Sequence, residues 1–123
     1  MVVSYASSPA AEVVYAATTL TDSPTASIVA PGTCYRQVEF VGILKGTKNL
    51  ALAQRFVDFM LGKQFQEDMP LQMYVYPVNP DASLPDVFLN FAAQAQSPAQ
   101  LDPALVAQKR DQWIADWTAA ILH

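Results

Sequence analysis

Charge is what this chain has least of. Only 15% of its 123 residues are Asp, Glu, Lys or Arg, while 52% are apolar, against about 25% charged in ordinary soluble proteins. Such a chain is expected to bury surface against something else, another lobe or another subunit. The net charge is −4 and no Lys/Arg cluster occurs, which excludes a nucleic-acid binder, because the phosphate backbone demands a basic face. Cys34 is the one cysteine, so no internal disulfide forms. The one histidine, His123, stands at the last position and makes no nucleophile–base pair with it. Cys34 is therefore read as a half-buried thiol at a strand edge. No metal-ligand spacing is present, and no cofactor is expected. No apolar run reaches the length that spans a bilayer. Met1 leads directly into VVSYA, which reads as a strand with no signal peptide before it, as in a truncated gene product.

Thr33 to Pro70 organises the rest. From Tyr35 to Glu39 polar and apolar side chains alternate, with Val38 and Phe40 on one face and Gln37 and Glu39 on the other, the period of a half-buried strand. After a polar turn from Lys45 to Lys48, Asn49 is placed to cap a helix with the stripe Leu52, Phe56, Phe59 and Met60. Gly62 stops it, and Pro70 is expected to end the short helical tail that follows.

In chain order, Val2 to Ala6 reads as a strand, and Ser7-Ser8-Pro9 as the start of a helix carrying Val13, Val14 and Ala17. Ala26 to Ala30 is a further strand, ended by Pro31-Gly32. Leu71 to Val78 reads as a strand, with Pro77 at its end. Pro85 to Gln94 is a helix with Val87, Phe88 and Phe91 inward. Asp102-Pro103 opens a final helix with the stripe Val106, Trp113, Trp117 and Ile121. The expected class is α/β, with about three to four short strands and about four helices in one domain over 1–123.

Two constellations carry possible chemistry. In Ser4-Tyr5-Ala6-Ser7-Ser8-Pro9, helix-end N–H groups and hydroxyls suit an anion such as phosphate, with Tyr5 as a neighbouring aromatic face. Plain helix capping explains the same residues. In Met73-Tyr74-Val75-Tyr76, alternate rings on one strand face suit a planar or cationic ligand, or they fill the core beneath the 50–61 helix. The two groups are expected to converge, Tyr5 and Tyr74 meeting near the helix that begins at Ser8 or Pro9.

The segments SYASSPA, TCYRQVEFVGILKGTKNLALAQRFVDFML and FQEDMPLQMYVYPVNP, with the Trp-bearing last helix, together resemble the C-terminal portion of periplasmic thiamine-binding proteins. These are solute-binding components of ABC transporters, in the iron/thiamine/polyamine group with a two-lobed type II fold. The resemblance implies a periplasmic or extracellular parent, a partial type II fold, thiamine or its phosphates as ligand, and an ABC permease as partner. It implies Tyr5, Ser7, Ser8 and Tyr74 as ligand-binding residues. Tyr74 stands where thiamine binders often carry a tryptophan, and Ala11 where some carry a tyrosine. The family proteins are longer, so this chain is expected to hold about half of a site and to form homo-oligomers. A structural, oligomerising fragment without ligand is the alternative. A thiaminase-like enzyme is the other, disfavoured because Cys34 has no base beside it.

Overall fold

The helix signals in the sequence translate directly into structure. In the computed structural model, which describes residues 1–121, five helices follow one another. They are α1 (Ser8–Tyr15), α2 (Leu50–Leu61), α3 (Lys63–Met73), α4 (Asp86–Phe91) and α5 (Pro103–Ile121). Pro9 sits in the first turn of α1, where its missing N–H costs nothing. Asp102 opens α5 by accepting the Ala104 N–H at 2.9 Å, a side-chain cap. Asn49 stands at the N-cap of α2 without bonding to it. Gly62 ends α2 and begins α3, its N–H donating to the Phe59 carbonyl at 3.0 Å.

The α/β class is not what forms. Among the described residues there is no sheet, and the single β-pairing is an isolated parallel bridge between Tyr35 and Ala99. The segments expected as strands, 2–6, 26–30 and 35–39, are not paired as strands. An alternating sequence specifies a strand only when a neighbour takes its backbone bonds and another layer covers its apolar face. Neither is present here: Phe40 remains 90% exposed and Val38 is exposed as well. The fourth expected strand is overtaken by helix. α3 runs through Pro70 to Met73, because Leu71, Gln72 and Met73 are good helix formers. Tyr74 then ends it in the left-handed region. A partial type II binding-protein fold is therefore not the architecture of this chain.

Burial centres on two helix pairs. α1 packs on α4 and α2 on α3. Phe88 of α4, 1% exposed, and Ala10 of α1 centre the first pair, and Pro70 of α3 is fully buried. Buried Gln66 joins the α2–α3 pair to the chain beyond it. Its Nε2 donates to the Met60 carbonyl at 2.8 Å, and its Oε1 accepts the Val78 N–H at 2.7 Å. Asn79 adds a bond to the Leu61 carbonyl at 2.9 Å. Glu67 accepts the Ser83 N–H at 3.0 Å, a bond that holds its carboxyl below the usual carboxylate range. The loop 30–35 is tied to 97–99 by Gly32 N–H to the Ser97 carbonyl at 2.9 Å and Ala99 N–H to the Cys34 carbonyl at 2.7 Å. Cys34 is a free, half-buried thiol. The stripes expected to be core on α2 and α5 are largely uncovered: Leu52, Phe56, Phe59, Trp113, Trp117 and Ile121 are all exposed.

Candidate functional site

The chain ahead of α1 and the exit from α3 meet across an open cleft of about 410 Å³. Tyr5, Ser7 and Ser8 form one side, and Met73, Tyr74 and Glu39 contribute to the rest. Ser7 fixes the junction: its hydroxyl, freed from capping α1, donates to the Tyr74 carbonyl at 2.6 Å. Tyr74 has φ 54° and ψ 34°, and is the one non-glycine residue with positive φ among the described residues. A left-handed residue with a side chain costs about 1–2 kcal/mol and persists only where its surroundings hold it. The Ser7 bond and the packing of the ring supply that hold. The Tyr74 ring lies between Tyr15, with centroids 5.4 Å apart and planes at 43°, and Phe88, at 6.5 Å and 19°. Burial first, and then the neighbouring Tyr15 phenol, push the Tyr74 hydroxyl up to about 12. Tyr74 therefore presents a neutral ring at any physiological pH.

All four residues singled out in the sequence, Tyr5, Ser7, Ser8 and Tyr74, line this cleft. Their contributions differ. Tyr5 is 72% exposed and presents a free ring. Ser7 is buried and committed to Tyr74, so it positions the opposite wall. Ser8 shares a 2.7 Å hydrogen bond with the Ser4 hydroxyl. The helix end is a poor phosphate cradle: Ser8 N–H already donates to the Tyr5 carbonyl at 3.0 Å, and Pro9 has no N–H to give. Tyr76 goes elsewhere. The left-handed turn at Tyr74 breaks the alternation that would have put both rings on one face. Tyr76 instead packs edge-on against Phe88, with centroids 5.5 Å apart. Its hydroxyl is buried with no partner among the described residues, and burial pushes its phenol up.

Sequence reasoning passed over two residues. Tyr15 supports the Tyr74 ring from one helical turn beyond Ala11, a spacing of four that keeps the two on one face of α1. That spacing was the available signal. Glu39 lines the cleft from the segment whose alternation set it on the polar face of a strand, and that strand does not form beyond the bridge at Tyr35. A second, wider opening of about 570 Å³ lies between the 41–47 loop and the Phe56 face of α2. Its lining is mostly apolar, without the convergence of rings and hydroxyls that marks the first cleft. Among the described residues no group of His, Cys, Asp or Glu is placed to hold a metal ion. Among the described residues no helix is long and apolar enough to cross a membrane.

Known proteins that this chain resembles are binding proteins of the periplasm. The chain is related to the thiamine-binding periplasmic proteins. It is 32% identical over 127 aligned positions to that of Salmonella typhimurium, covering 98% of the chain and 35% of the relative. Identity to that of Escherichia coli is 34% over 87 positions, covering 71% of the chain and 26% of the relative. Identity to that of Brucella melitensis is 30% over 122 positions, covering 98% and 35%. The chain thus spans about a third of the length of these relatives. No family model matches the chain, and no solved structure matches it. The resemblance carried by SYASSPA and the segments after it holds.

Proposed function

We propose that this chain is a non-enzymatic part of a solute-binding protein for thiamine uptake, and that the Tyr5–Tyr74 cleft is one wall of its ligand site. The cleft carries this reading: two tyrosine faces and a buried serine converge on it, in a chain whose relatives are named for binding thiamine. Thiamine is a planar cation with a thiazolium ring, and aromatic faces attract such cations. The 123 residues act as the C-terminal domain of a longer periplasmic parent, which hands its ligand to an ABC permease. The remainder of that parent supplies the other wall. Ligand sites of this size enclose most of their ligand, so one wall alone binds weakly, near the millimolar range, or about −4 kcal/mol. Titration with thiamine, followed by NMR shifts of the tyrosine rings, tests this. Shifts at Tyr5 and Tyr74 that vanish in Tyr74→Ala are expected. Absence of any shift, or shifts confined to the 41–47 loop, overturns the assignment.

The second reading, a fragment that assembles with copies of itself, is favoured by one observation. The chain exposes 9929 Å², whereas a compact monomer of 13.4 kDa exposes about 6,500 Å². The two readings are compatible, since surface that the rest of a parent protein covers can be covered by a second copy.

A further inference from the structure

From Gln37 to Ile43 the chain has no partner of its own. Every residue of that segment is exposed, and among the described residues none of its backbone groups bonds to another part of the backbone. Arg36 and Glu39 are also outside the two salt bridges there, Lys63–Glu67 and Arg110–Asp111. Yet a ladder has been started. Ala99 N–H donates to the Cys34 carbonyl at 2.7 Å, at the isolated bridge between Tyr35 and Ala99. Successive residues of a strand turn their N–H and C=O groups to opposite edges. The Cys34 carbonyl faces Ala99, so a strand continuing from it turns positions 36 and 38 to that edge. Gln37 and Glu39 then present their backbone groups on the other edge, where nothing receives them.

We infer that this free edge is an interface between two copies of the chain, which pair antiparallel about a two-fold axis at Val38. The inference rests on the self-assembly reading above and names its surface. With that axis, Gln37 of each copy exchanges both backbone hydrogen bonds with Glu39 of the other. The two Val38 residues then meet as a non-hydrogen-bonded pair, with Cα atoms about 4.5 Å apart. The side chains suit this register. Arg36 lies opposite Phe40 of the second copy, a cation against a ring, and the Gln37 amide opposite the Glu39 carboxylate. An axis at Glu39 sets two carboxylates directly opposite, which is destabilising. An axis at Phe40 sets Glu39 against Val41. Area is not limiting. The surface in excess of a compact monomer, about 3,400 Å², is well above the roughly 800 Å² that each partner of a stable interface contributes. Phe40, 90% exposed, and the exposed Phe56 of α2, which the 41–47 loop adjoins, lie next to the edge to supply it.

The test uses the full chain with Cys34→Ser as background and single cysteines introduced in turn at positions 37, 38, 39 and 40. Light scattering reads the mass, and disulfide coupling under mild oxidation reads the register. A non-hydrogen-bonded pair brings its Cβ atoms within disulfide reach, so Val38→Cys is expected to couple about tenfold faster than Phe40→Cys. Gln37→Pro removes one ladder N–H from each copy. It is expected to weaken the dimer about tenfold, with helix content by circular dichroism unchanged, while Gln37→Ala stays within about twofold of the parent chain. A dimer in which Glu39→Cys or Phe40→Cys couples fastest overturns the axis at Val38. A dimer that Gln37→Pro leaves intact, and in which none of the four cysteines couples, overturns this interface and leaves self-assembly standing, through the faces of α2 or α5. A monodisperse monomer overturns both, and the edge then falls to the remainder of a longer protein.

Discussion

Tyrosines that are adjacent in the sequence pattern have opposite fates in this molecule. Tyr74 and Tyr76 differ by two positions, and alternation alone would treat them as equivalent. One ring forms a wall of the cleft. The other is packed against Phe88 with its hydroxyl buried and unpartnered among the described residues. An orphaned buried hydroxyl costs about 1–3 kcal/mol, and the phenol earns nothing in return. Tyr76→Phe is therefore expected to leave stability unchanged or to raise it by about 1 kcal/mol, read as a higher urea midpoint. A clear loss of stability would mean that the hydroxyl has an acceptor after all. Tyr74→Phe keeps the ring and leaves the Ser7 bond, which is to the backbone, untouched. The geometry of the wall thus depends on position 7 more than on the phenol.

The helices were legible in the sequence because each carries its own local signals. Asn49 and Gly62 bracket α2, Asp102-Pro103 opens α5, and Pro9 marks the start of α1. The strands were not, because pairing is a property of two segments, and the segment from Tyr35 to Phe40 finds only the bridge at Tyr35. The cleft was half legible: Tyr5, Ser7, Ser8 and Tyr74 announce themselves by type and neighbours. Glu39 does not, since alternation sets it on the polar face of a strand that finds no pairing beyond Tyr35. Gln66 also escaped notice, although it connects α3 to two other parts of the chain. Replacing it by leucine orphans the Met60 carbonyl and the Val78 N–H together. Gln66→Leu should destabilise the fold by roughly 2 kcal/mol, measured by urea unfolding. A loss below about 0.5 kcal/mol would show that water replaces both bonds freely.

The whole molecule is open. Its surface exceeds that of a compact monomer of its mass by roughly half, and much of the excess is apolar, on α2, on α5 and along 38–44. Patches of that kind are rarely left in contact with water. Light scattering is expected to give a mass of at least two chains, twice 13.4 kDa or more, at micromolar concentration. Trp113 and Trp117 fluorescence should shift to shorter wavelength as the concentration rises. A monodisperse monomer with both tryptophans fully solvated would refute this. The bond from Ser7 to Tyr74 has a further consequence, for the order in which the molecule is made. It spans 67 positions of the chain, and closing a loop of that length costs roughly 4 kcal/mol in the length-dependent part of the entropy alone. The α2–α3 pair joins neighbours in sequence and bears no such cost, so it can form while the chain is still being synthesised. The two walls of the cleft become neighbours only once the chain as far as Tyr74 is available to fold.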